Sequence, residues 1–179
     1  MGRNAQTGAD PNFLISALAS RDGMVRRTAR ASLVAMGKPA VALLIRALGN
    51  SKVDQVRWEA AKALGTMGEV TAIPALVGAL DDRDPDVAWL AAEALQRFKK
   101  AAWPALLHAL IQRGAHSASL RQGAHHVLRD QREKGFNDLL ARLRKALEAG
   151  TIPEMAAVAA YEMLQRMNAR APGANTAPE

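Results

Sequence analysis

Apolar residues recur along this chain at the spacing of a helix face, and the same phrase returns several times. Val25-Arg-Arg-Thr-Ala-Arg-Ala-Ser-Leu-Val-Ala-Met-Gly37 aligns with Val56-Arg-Trp-Glu-Ala-Ala-Lys-Ala-Leu-Gly-Thr-Met-Gly68 and with Val87-Ala-Trp-Leu-Ala-Ala-Glu-Ala-Leu-Gln-Arg-Phe98. Leu120–Leu128 and Ala156–Met167 continue the series, so the starts are spaced 31, 31, 33 and 36 residues apart. A second apolar helix precedes each phrase: Phe13–Leu18, Ala42–Leu48, Pro74–Leu80, Pro104–Leu110 and Leu139–Leu147. Self-similarity at this period, with apolar positions at helical spacing, predicts stacked helical hairpins. Neither helix of a pair can bury its apolar face alone, so stacking must supply the core.

The punctuation agrees. Pro74 and Pro104 fall in first turns, where a missing N–H costs nothing. Asp84-Pro85 reads as an N-cap, and Thr151 with Glu154 has capping-box spacing. Gly37 and Gly68 follow the second helix where a left-handed C-cap is wanted. No stretch alternates in the manner of a strand.

The phrases Asp84-Pro-Asp-Val87 and Ile73-Pro-Ala-Leu76 resemble those of HEAT-repeat proteins, and more narrowly the short repeats related to phycobilisome lyases. The resemblance implies an all-α fold, a right-handed α-α superhelix of about five HEAT-like hairpins. It covers residues 12–168 and leaves a polar N-terminal segment (1–11) and a disordered tail (169–179). It also implies a concave surface lined by the second helix of each repeat.

On that helix, with the leading Val at position zero, apolar residues occupy steps 0, 4, 7, 8 and 11. Steps 2 and 6 then point away from the core. Step 2 holds Arg27, Trp58, Trp89, Gln122 and Val158; step 6 holds Ala31, Lys62, Glu93, His126 and Glu162. Two of the three tryptophans thus share one outward position in adjacent repeats. Large aromatics beside charges are the raw material of interface hot spots. Trp58, Trp89, Arg27, Lys62, Glu93, Gln122 and His126 are therefore the expected partner-binding residues. Trp103 aligns with Val41 and Ile73 at the entry to a first helix and is expected in the core.

Composition adds less. The 38 alanines among 179 residues suit closely packed helices, and aromatics are only 4%. There are no cysteines, which excludes disulfides and thiolate metal sites. His108, His116, His125 and His126 lack the i,i+4 spacing of a helical zinc site. The run Asp81–Asp86 lacks the calcium-loop glycine and terminal glutamate, and reads as turn and capping chemistry. No phosphate loop, nucleophile elbow or metalloprotease motif occurs, so neither an active site nor a cofactor is expected.

The net charge of +7 is spread: residues 1–38 carry six Lys/Arg against two Asp/Glu, and residues 70–101 four against five. The leading expectation is a non-enzymatic module that binds another protein or peptide. Nucleic acid is the alternative partner, resting on Arg27, Arg30, Arg121 and Arg129. A third reading is an accessory or lyase-like subunit of an enzyme system. Trp89 and Glu93, one turn apart, also resemble the aromatic–carboxylate pairs of HEAT-like alkylpurine DNA glycosylases. No signal peptide or apolar span is expected, which makes the cytoplasm the default location. The apolar last helix leaves end-to-end dimerisation open.

Overall fold

Helix capping and alanine–leucine periodicity set the elements in the computed structural model, which describes residues 10–148 and 151–170. Ten α-helices occur among the described residues. They are α1 (Pro11–Ala17), α2 (Gly23–Met36), α3 (Lys38–Asn50), α4 (Asp54–Met67), α5 (Ile73–Gly78), α6 (Pro85–Phe98), α7 (Trp103–Arg113), α8 (Ala118–Leu128), α9 (Asn137–Ala146) and α10 (Glu154–Ala169). No strand is present among the described residues. The chain is an all-α solenoid of stacked hairpins. The expected N-terminal segment and tail lie largely outside the described residues.

The caps follow the sequence closely, with one exception. Asp84 accepts hydrogen bonds from the backbone N–H groups of Asp86 and Val87, and Pro74 and Pro104 sit in first turns. Gly37 and Gly68 cap α2 and α4 with φ of 66°, but only Gly68 takes the expected left-handed helical cap, ψ at Gly37 being −143°. Thr151 does not form the expected capping box. Its hydroxyl turns back to the carbonyls of Ala146 (2.9 Å) and Glu148 (2.8 Å), closing the end of α9 instead.

Odd-numbered helices α1, α3, α5 and α7 form one layer, and α2, α4, α6 and α8 the other. The core between them is aliphatic: Leu33, Leu64, Leu95 and Leu128 recur at the same step of the second helix and are all buried. Trp103 is buried, as expected, with its ring edge-on to Phe136 at 5.8 Å. Val25 departs from the pattern. It is exposed, although its counterparts Val56, Val87 and Leu120 are buried, because among the described residues no second-layer helix precedes α2 to cover it.

The fifth hairpin turns over. Helix α10 packs on α7 and α9 instead of continuing the row of α8. Helix α9 takes the place beside α8, with Arg144 donating to the Arg129 carbonyl at 2.6 Å. Val158 and Glu162 consequently leave the outward row, and the sequence series ends on the opposite layer. The longer connection over residues 129–136 supplies the slack for this reversal. It is pinned at its start by Gln131, which is buried and donates to the Gln96 carbonyl at 3.1 Å.

Candidate partner-binding face

The second-layer helices α2, α4, α6 and α8 lie side by side because small residues let them approach. A Cβ on Gly65 of α4 would stand 2.7 Å from the Ala94 Cβ of α6, and one on Gly123 of α8 would stand 2.8 Å from Leu80 Cδ2, in the segment that follows α5. At step 2 this row presents Arg27, Trp58, Trp89 and Gln122 in turn. Arg27 and Gln122 are exposed, Trp58 is half-buried, and Trp89 is 53% exposed.

The two tryptophans share a position but not an environment. Lys62, one turn along α4, places its ammonium 4.2 Å from the centre of the Trp58 ring. A cation over an indole face is attracted by the ring quadrupole, so Trp58 is already covered from within its own helix. Trp89 has Glu93 at the equivalent place. Its ring leans instead on His126 of α8, with centroids 4.1 Å apart and planes tilted by 45°.

His126 is the correction among the expected site residues. It lies beneath Trp89 and is only 7% exposed, because the indole covers the imidazole. Its Nε2 makes no hydrogen bond and stands 3.6 Å from Glu93 Oε1. His126 is thus a platform for Trp89 and not an outward contact.

Two of the clefts on this face lie beside the tryptophans. One, of about 570 Å³, runs between α6 and α8, floored by Ala88, Ala92 and Gly123 and bordered by Asp86, Trp89 and His126. The other, of about 450 Å³, lies between α2 and α4 beside Arg27, Trp58 and Lys62.

Buried ion pairs hold the row together. Glu59 is 2% exposed and receives Arg26 at 3.3 Å and also Arg30, both from α2. Arg57, also buried, donates two 2.7 Å hydrogen bonds to Asp82 of the next repeat, one of 2.7 Å to Asp54 and one of 2.9 Å to the Ser51 carbonyl. The Asp82 hydrogen bonds lead in raising the Arg57 pKa further above its ordinary value. Burial resists the charge of Asp82, but Arg57 and the Asp84 N–H outweigh it, and the carboxyl lies below its ordinary 3.8.

Arg26, Arg57 and Glu59 carry no role in the sequence reading, which names Arg30 only for phosphate contacts and Asp82 only as turn chemistry. A signal was nevertheless present: arginine follows the leading apolar residue in three repeats. Arg26 donates to the Ser20 carbonyl (2.8 Å), Arg57 to Ser51, and Arg121 to Gly114 (2.6 Å), each tying down the turn before its own helix.

Of the arginines considered for phosphate contacts, Arg30 is paired with Glu59 and Arg121 with turn carbonyls. Arg129 is exposed 3.3 Å from Asp130, and Arg27 is exposed. The acidic run is capping and turn chemistry: besides Asp82 and Asp84, Asp81 accepts from Arg113 (2.5 Å) and Ser117. Among the described residues no group of three His, Cys, Asp or Glu side chains could hold a metal ion. No helix there is long and apolar enough to cross a membrane.

Residues 11–96 match the family model described as HEAT repeats, which spans α1 to α6 and includes both Trp58 and Trp89. No curated protein matches the sequence.

Proposed function

From a chain whose residues 11–96 carry HEAT repeats, we propose a protein-interaction module that grips an extended segment of a partner along α2, α4, α6 and α8. HEAT repeats commonly serve as interaction scaffolds, and the concave row of second helices is where such a solenoid offers its longest continuous surface. The observation that carries this reading is Trp89. It is 53% exposed at the rim of the 570 Å³ cleft, in a chain with three tryptophans in all. A half-exposed indole beside a cleft matches the aromatic anchors that dominate binding energy at interfaces.

Arg27, Trp58, Lys62, Glu93 and Gln122 form the rest of the contact row, and His126 supports it from below. The reading is that of a non-enzymatic module. The likeness to phycobilisome lyase repeats rests on Ile73–Leu76 and Asp84–Val87 alone and adds no activity. Nucleic acid is the weaker reading because Arg30 and Arg121 are spent on Glu59 and on turn carbonyls.

The test is capture of proteins by the wild-type chain and by the Trp58→Ala, Trp89→Ala double variant, with far-UV circular dichroism as the folding control. The expected result is a protein retained by the wild type and lost by the variant at equal helicity. Retention of every captured protein by the variant overturns the reading.

A further inference from the structure

The α6–α8 cleft accepts a basic side chain. This assignment, which we infer from a contrast between two repeats of the same chain, rests on the proposed peptide-binding role and names its chemistry. In the second repeat, Trp58 is covered by Lys62 from one turn along the helix. In the third, the same two steps hold Trp89 and Glu93, so the ring has a carboxylate where its neighbour has a cation. Asp86 stands one turn before Trp89 on the same helix and borders the same cleft.

Among the described residues, neither Asp86 nor Glu93 has a lysine or arginine within ion-pair distance, and the basic group nearest Glu93 is the His126 imidazole at 3.6 Å. Glu59, Asp54, Asp81, Asp82, Asp138 and Glu162 each have one or more. In a chain of net charge +7, two carboxylates without a lysine or arginine partner thus flank the exposed tryptophan. Beneath them, the buried His126 borders the cleft with Nε2 lacking a hydrogen bond. His125 and two arginines also border the cleft, but Arg83 is held by the Lys52 carbonyl and Asp54, and Arg129 lies against Asp130.

A lysine or arginine from an extended partner segment completes this arrangement. Its charged head lies over the Trp89 face between Asp86 and Glu93, as Lys62 lies over Trp58, and its aliphatic stem runs over Ala88 and Ala92. Cation–π attraction and two carboxylates act on the same charge, while the small residues of the floor leave room for the stem. An acidic or uncharged segment meets the same two carboxylates without compensation.

The test is selection of a random peptide library on the wild-type chain, on Asp86→Asn with Glu93→Gln, and on Trp89→Ala. The neutral variants keep side-chain shape, and circular dichroism checks that all three are folded. The expected outcome is enrichment of lysine or arginine at one fixed peptide position with the wild type. A synthetic peptide carrying that consensus should lose about tenfold or more in affinity with either variant, in keeping with the energy of a desolvated cation–π contact.

Enrichment of acidic or uncharged peptides, or a basic preference that survives both variants, overturns the inference. In those cases the peptide-binding role still stands if the Trp58→Ala, Trp89→Ala chain loses the selected peptides. Failure to enrich any sequence overturns both.

Discussion

Arg57 of α4 and Asp82, in the turn before α6, are joined across a repeat boundary by two hydrogen bonds of 2.7 Å each. Both side chains are at least nine-tenths buried, so the pair is a fixed hinge pin between repeats and not a surface decoration. Removing one partner of such a pair strands a buried charge, and Arg57→Ala should cost about 3 kcal/mol. Chemical denaturation of wild type and variant measures it. The pair also gives stability a dependence on pH. The Asp82 carboxyl lies below its ordinary 3.8 in the folded chain. Its contribution is therefore fully present above that value and is lost as the pH falls through the lower folded one. The stability difference between wild type and Asp82→Asn should be constant above about pH 5 and shrink in more acid solution. A difference that stays constant down to acid unfolding would show that the Asp82 charge contributes nothing.

Lys99 repeats the position of Gly37 and Gly68 but not their chemistry. It follows α6 with φ of 50° and ψ of −134°, close to the φ of 66° and ψ of −143° that Gly37 adopts after α2. A residue with a Cβ is strained in that region by roughly 1–3 kcal/mol. The Lys99 side chain is exposed, and among the described residues it makes no hydrogen bond or ion pair that would offset the strain. Lys99→Gly should stabilise the chain by about 1 kcal/mol after the added entropy of the unfolded state is counted, raising Tm by roughly 3 °C. Thermal unfolding decides it, and a lower Tm for the variant would refute the strain.

The sequence made the hairpins legible because helix capping and a 31-residue alanine–leucine phrase are local signals. It also placed Trp58 and Trp89 on one face and Trp103 in the core. What it could not show depends on which helix lies next door. His126 shares its step with Lys62 and Glu93, yet it is buried because the ring of Trp89, from another repeat, lies on it. Glu59 looks like a solvated charge on α4, and only the approach of α2 brings Arg26 and Arg30 to it. The reversal of α10 onto α7 was foreshadowed only by the longer spacing before the last phrase, and spacing carries no direction.

Close approach between repeats predicts opposite responses at two glycines. Gly65 faces Ala94 so tightly that an added Cβ would meet its Cβ at 2.7 Å, and backbone at 3.2 Å. Gly65→Ala forces α4 and α6 apart and should destabilise by about 2 kcal/mol. Gly78, at the end of α5, has helical backbone angles and nothing within 4 Å of an added Cβ. Gly78→Ala should stabilise by about 0.5 kcal/mol through helix propensity and a less flexible unfolded chain. Urea titration of both variants measures the two signs. Equal effects would mean that the α4–α6 contact is no closer than any other.

The three tryptophans should report separately on the face that carries the functional reading. Trp89 is half-exposed, Trp58 lies half-buried under Lys62, and Trp103 is 1% exposed. Acrylamide quenching of the native chain should therefore be dominated by Trp89, with a shielded fraction from Trp103. Trp89→Phe should remove most of the readily quenched emission, and Trp103→Phe should leave it in place. Lys62→Ala should make Trp58 more accessible, since the ammonium over its ring is then gone. His126→Ala tests the platform. Without the imidazole beneath it, the Trp89 ring loses its stacking contact and should become still more open to quencher, and the chain should lose about 1 kcal/mol of stability. If Trp89→Phe leaves the quenched fraction unchanged, the indole is covered in solution, and the cleft between α6 and α8 cannot be the anchor of a partner.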